Sequence, residues 1–115
     1  MATVLVVDDD SAVRQLVVTI LKLDGHTVMS STNGLEALMV YSSYRSRLDL
    51  VLTDIDMPEL DGIELVARIR ALDSHMRVLL MSGRPSEERI ENCPMLPKPF
   101  KPDELKRAVN RALRE

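Results

Sequence analysis

Tryptophan is absent from this 115-residue chain, and its only aromatic residues are Tyr41, Tyr44 and Phe100. So small a set offers no platform on which unpaired bases could stack. Basic excess is lacking too: 15 Lys and Arg against 18 Asp and Glu leave a formal net charge of −3. The electrostatic footprint of a nucleic-acid binder is therefore missing. A single cysteine, Cys93, excludes an internal disulfide or a cysteine-based metal cluster and fits a reducing compartment. No apolar run approaches the roughly 20 residues that a membrane helix needs. Val4-Leu5-Val6-Val7, cut off by Asp8, is also too short for a signal segment. Repeats, linkers and low-complexity tracts are absent. What remains is a chain 45% hydrophobic and 29% charged, read as one cytoplasmic domain over residues 1–115.

What is present alternates. Thr3 to Val7 is a β-branched apolar run, and from Ser11 the period changes. Val13, Leu16, Val17, Ile20 and Leu21 share one face of a helix, with Ser11 as the expected N-cap and Gly25 as the left-handed stop. Thr27 to Ser30 predicts a second strand. Asn33 and Glu36 have the spacing of a capping box for a helix reaching about Tyr44. Leu50 to Thr53 predicts a third, buried strand running into Asp54, with Pro58 forbidding its continuation. Asp61 and Glu64 repeat the capping pattern before a helix ending near Leu72. Arg77 to Met81 predicts a fourth strand, closed by Ser82-Gly83. Pro85 and Ser86 start a short polar helix within Arg84 to Asn92. Met95-Leu96, caught between prolines, predicts an edge strand, since proline cannot donate to a ladder. Pro102 opens a last helix with Leu105, Ala108, Val109, Ala112 and Leu113 on its apolar face.

Alternating strands and helices imply a doubly wound parallel sheet covered on both faces, here expected in the order 2-1-3-4-5. In such a sheet ligands bind beyond the carboxyl ends of the strands. Strand one delivers Asp8 and Asp9 there, strand three Asp54, strand four Ser82 and strand five Lys98. Three carboxylates in one crevice cannot all stay ionised without a cation. Oxygen ligands without His or Cys suit Mg²⁺, which keeps open positions for phosphate oxygens. A lysine and a hydroxyl beside it would orient a phosphoryl group in transfer, and an aspartate can itself be the acceptor.

Val6-Val7-Asp8-Asp9, Thr53-Asp54-Ile55-Asp56-Met57-Pro58, Asp61-Gly62, Ser82-Gly83 and Lys98-Pro99-Phe100 together resemble the receiver domain of two-component response regulators. The resemblance covers essentially the whole chain, with the pieces in the family's order. It implies a flavodoxin-like fold and a phosphoacceptor switch rather than an enzyme acting on a separate substrate. Self-catalysed phosphoryl acceptance and slow autodephosphorylation would be its only chemistry. Asp54 would be the phosphorylated residue. Asp8, Asp9 and Asp54 would hold Mg²⁺ with the Asp56 main-chain carbonyl, Asp9 being the more direct ligand of the acidic pair. Ser82 would bond a phosphoryl oxygen, Lys98 would pair with the phosphoryl group, and Lys98-Pro99 would be cis. The implied donor is a phosphohistidine on a histidine kinase or a histidine phosphotransfer domain. Monomer or weak dimer, and either a stand-alone regulator or part of a hybrid histidine kinase, complete the expectation.

Two features depart from the family. Lys98 follows Ser82 by only sixteen positions, which predicts a shortened fourth helix or a reshaped loop. Met95 stands three before Lys98, where receivers commonly carry Tyr or Phe, and fills the place flexibly. Asp56 and Arg84, each two positions past a site residue, are candidates to face each other over the phosphoryl group. Asp54-Ile55-Asp56 also has the Asp-x-Asp spacing of haloacid-dehalogenase-like phosphatases. Those enzymes carry the pair on their first strand, however, and the place two after the second aspartate is here Pro58. A receiver that only binds a partner would not need all five site residues. Asp10 is read as a helix-start charge, His26 and His75 as solvated residues of the opposite rim, Cys93 as a small buried residue, and the seven methionines as core filler.

Overall fold

A computed structural model of the protein describes residues 1–83 and 93–114. The elements are β1 (Thr3–Val7), α1 (Ser11–Leu23), β2 (Thr27–Ser31), α2 (Gly34–Tyr44), β3 (Leu50–Asp54), α3 (Gly62–Leu72), β4 (Val78–Ser82), β5 (Met95–Pro97) and α4 (Pro102–Arg114). The short helix expected within 84–92 lies outside the described residues. All strand pairs are parallel, and the sheet runs β2-β1-β3-β4-β5. The proline-bounded β5 stands at the edge, where its missing N–H costs no ladder bond.

Side chains alternate across the sheet and build two cores. Leu5, Val7, Val51, Val78 and Leu80 meet Ala37 and Tyr41 of α2 and Leu65, Val66 and Ile69 of α3. Val4, Val6, Leu50, Leu52, Leu79 and Met81 meet Val17, Ile20 and Leu21 of α1 and Leu105, Val109 and Ala112 of α4. Burial on both sides explains why β3 and β4 read as unbroken apolar runs.

The helix starts come mostly as predicted. Asn33 accepts from Glu36 N–H at 2.8 Å and Asp61 from Glu64 N–H at 2.9 Å. Glu36 reaches back one residue further than a capping box requires, to Thr32 N–H at 2.8 Å. α1 departs from expectation: its cap is Asp10, not Ser11. The Asp10 carboxylate accepts from Ala12 N–H at 2.9 Å and Val13 N–H at 3.3 Å, because Asp10 keeps the extended backbone of a cap while Ser11 is already helical. Gly25, at φ 91°, does stop α1. Gly25 N–H bonds Lys22 C=O and His26 N–H bonds Leu21 C=O, closing a Schellman turn.

That turn corrects the reading of His26. It folds the imidazole under the start of β1, where Nδ1 accepts from Ala2 N–H at 3.2 Å and only 6% of the side chain stays exposed. His75 is exposed as expected. Cys93 is half-buried against the first core, and burial raises its thiol pKa, with Arg70 opposing; it packs as a small neutral residue. The methionines divide. Met57, Met76 and Met81 are buried, but Met1 and Met39 are exposed and fill no core.

Candidate functional site

Register sets the site. Val7 pairs with Thr53, so the next residues, Asp8 and Asp54, leave their strands abreast. Asp54 pairs with Met81, which brings Ser82 one step further along the neighbouring strand. Ser82 pairs with Pro97, and Lys98 N–H bonds Ser82 C=O at 2.7 Å, so Lys98 begins where β4 ends.

The five side chains named from the sequence therefore meet at one rim. Lys98 Nζ lies 2.9 Å from Asp8 Oδ2 and 3.4 Å from Asp54 Oδ1. Asp8, Asp54 and Ser82 are buried, whereas Asp9 is exposed. One carboxylate oxygen each from Asp8, Asp9 and Asp54 lies within 4.8 Å of the others. Opposite ligands of a magnesium ion at its ordinary bond length stand about 4.2 Å apart, so a small closure would fit one hard cation. The donor set, all oxygen without His or Cys, suits that ion as well. Both Asp8 oxygens already have partners in the chain: Lys98 on Oδ2, and Asp10 N–H on Oδ1 at 2.9 Å. Asp9, by contrast, is exposed and has no hydrogen bond or ion pair among the described residues.

The backbone of Asp54 is held tightly. Thr53 Oγ donates to Asp54 C=O at 2.9 Å. α3 begins against that same carbonyl: a Cβ at Gly62 would collide with Asp54 O and would stand 2.8 Å from Ile55 Cα. Gly62 N–H also bonds Ile55 C=O at 2.9 Å. Between them Glu59 takes φ 66°, unusual for a residue with a side chain, to turn the chain after Pro58. Asp56 N–H hydrogen-bonds the Asp54 carboxylate, and the Asp56 side chain is exposed. Arg84, its suggested counterpart, lies outside the described residues.

Electrostatically the site is poised for a cation. Burial pushes the Asp54 carboxyl up to about 6; Lys98 pulls it down, and Asp8 pushes it further up. Burial alone would lower the Lys98 pKa, but its bonds and charge contacts with Asp8 and Asp54 win, and it stays above the usual lysine value. The lysine therefore favours its charged form, while burial disfavours that of the aspartate.

Sequence reasoning missed the clamps: Thr53, Gly62 as a contact surface, Asp10 as the cap, and Arg14, whose guanidinium donates to Asp8 C=O at 2.8 Å. A glycine directly after a helix cap was the one legible signal among them.

A doubly wound parallel sheet, with a lysine and an acidic cluster that could hold a metal ion at its carboxyl rim, defines a class, the flavodoxin-like α/β domains. The model of the response regulator receiver domain matches residues 4–110, and the chain belongs to that family. It is 33% identical to sporulation initiation phosphotransferase F of Bacillus subtilis (strain 168), over 96% of this chain and 92% of that protein. It is 34% identical to sensor kinase CckA of Brucella abortus (strain 2308), over 97% of this chain but only 12% of the kinase. A response regulator receiver domain protein from Clostridium thermocellum superposes with TM-score 0.92 at 28% identity, covering 99% of this chain and 95% of that one. The chain is thus a phosphoacceptor signalling switch of the two-component kind.

Proposed function

We propose that Asp54 is the phosphorylated residue and that the donor is a phosphohistidine of a histidine kinase or a histidine phosphotransfer domain. The observation that carries this is Lys98 Nζ spanning Asp8 and Asp54 while Asp9 completes the acidic cluster. In the transfer, the bond between phosphorus and the donor imidazole breaks and one between phosphorus and an Asp54 carboxylate oxygen forms. The bond pair stays on the imidazole nitrogen, which leaves as neutral imidazole because the donor's other ring nitrogen carries a proton, and the product is an acyl phosphate.

Asp8, Asp9, Asp54 and the Asp56 main-chain carbonyl would hold Mg²⁺, which neutralises charge building on the phosphoryl oxygens. Lys98 then moves from Asp54 onto a phosphoryl oxygen, and the Ser82 hydroxyl binds another. Asp8 stays fastened by Asp10 N–H and keeps Lys98 in place. Water later cleaves the acyl phosphate slowly, so the chemistry is self-modification. The names of the relatives, a phosphotransferase and a sensor kinase, support a relay partner of this kind. A single receiver domain over residues 1–115, working in the cytoplasm, belongs to the same reading.

The test is intact mass after incubation with acetyl phosphate and Mg²⁺. One phosphate adduct is expected, absent without Mg²⁺ and absent in Asp54→Asn. An adduct that survives Asp54→Asn would overturn the assignment, and continuous turnover of a phosphate ester would point to a phosphatase instead.

A further inference from the structure

Arg14 lies in the opening of α1, four residues after the capping Asp10. The first turn itself carries no acidic residue, but the three aspartates that precede the helix surround its start with negative charge. The Arg14 side chain is half-buried and folds back over the helix start to donate from Nη1 to Asp8 C=O at 2.8 Å. Its own N–H bonds Asp10 C=O at 2.9 Å. The guanidinium thus grips the backbone just before Asp9, while the ordinary helical bond of the Arg14 main chain holds it just after. The remaining fastenings also fall on the neighbours: Asp10 N–H on Asp8 Oδ1, and Lys98 on Asp8 Oδ2. The Asp9 carboxylate itself is exposed and bonded to nothing among the described residues, so what fixes its direction is the peptides that flank it.

From this geometry we infer that Arg14 is a positioning residue of the cation site. Its guanidinium holds the peptide between Asp8 and Asp9, so that the exposed Asp9 carboxylate is already directed at the ion before the ion binds. The inference rests on the reading that Asp8, Asp9 and Asp54 hold Mg²⁺. A purely electrostatic role would have the opposite sign, since a cation beside an acidic cluster weakens binding of a second cation.

The experiment measures Mg²⁺ binding by titration calorimetry to the unmodified chain, Arg14→Met and Arg14→Lys. Methionine keeps much of the apolar stem and removes the donor; lysine keeps a donor and the charge. Partners of metal ligands typically contribute about 10–100-fold in affinity, so Arg14→Met should weaken Mg²⁺ binding roughly tenfold, with Arg14→Lys restoring most of it. Amide exchange of the metal-free protein supplies a second readout. Asp10 N–H should lose protection in Arg14→Met while the interior of α1, around Leu21, keeps its own. A variant that loses protection throughout α1 has lost the helix rather than the grip, and that result would overturn the inference. So would unchanged or tighter Mg²⁺ binding by Arg14→Met alongside normal binding by the unmodified chain, which would leave the Mg²⁺ reading standing. Failure of the unmodified chain to bind Mg²⁺ at all would remove both.

Discussion

At Asp54 two forces oppose each other, and burial wins over the nearby lysine. The folded-state value of about 6 lies above the 3.8 of a free carboxyl, so between these values the folded chain binds more protons than the unfolded one. Stability of the metal-free protein therefore falls as pH rises through that window and levels off above it. By the linkage relation the cost at pH 8 is about 2–3 kcal/mol. Asp54→Asn removes the charge and keeps the shape. Chemical denaturation without Mg²⁺ should find the variant more stable by about 1–3 kcal/mol at pH 8, with the gain vanishing near pH 4. An equal gain at both pH values would mean that charge burial is not its cause. On the proposed function, a carboxylate that folding makes costly to ionise would gain from a cation and from esterification by phosphate.

Among the elements, the helix starts that face the site do the positioning. Asp10 caps α1 and also donates its N–H to Asp8, so the capping residue and the acidic rim share one short loop. Asp10→Ala should cost about 1 kcal/mol in denaturant melts, the usual worth of such a cap, while Ser11→Ala should leave stability nearly unchanged. A reversed ranking would restore Ser11 to the capping role that its residue type suggested. α3 approaches β3 so closely that Gly62 touches the Asp54 carbonyl and the Ile55 backbone. Gly62→Ala forces backbone against backbone, and the melt should show a loss of about 1–3 kcal/mol, as for other overpacked sites. Since the displaced carbonyl belongs to Asp54, phosphate uptake should slow in the same variant even where it remains folded.

Taken whole, the molecule gathers at one rim the side chains that its strands release, and a cation bound there stabilises the fold without binding the unfolded chain. At a hundredfold excess over its Kd, Mg²⁺ should add about 2.7 kcal/mol, read as a higher Tm that is largely lost in Asp9→Asn. A Tm indifferent to Mg²⁺ would deny the site its ion. Much of this was legible in one dimension. Short apolar runs alternating with helical spacings, turn residues and prolines pointed to five strands and their order, because a strand buried on both faces must be apolar throughout. Acidic residues directly after apolar strands, with a serine and a lysine after two others, marked the rim. Less could be read where the deciding contact is long-range. Ser11 and Asp10 are both good caps by residue type, and only the backbone angles chose between them. His26 looked like a loop residue until the Schellman turn laid it beneath Ala2. Met39 reads as apolar filler, yet its side of α2 meets solvent. The sequence by itself determined the described elements, their sheet and which side chains gather at the rim, since these follow from local pattern and from where strands end. Tertiary structure alone decided the distances at which Lys98 meets Asp8 and Asp54, the raised pKa of Asp54 and the grip of Arg14 on Asp8. Each of these arises from groups that the chain separates and the packed sheet brings within a few ångströms in a medium poor in water.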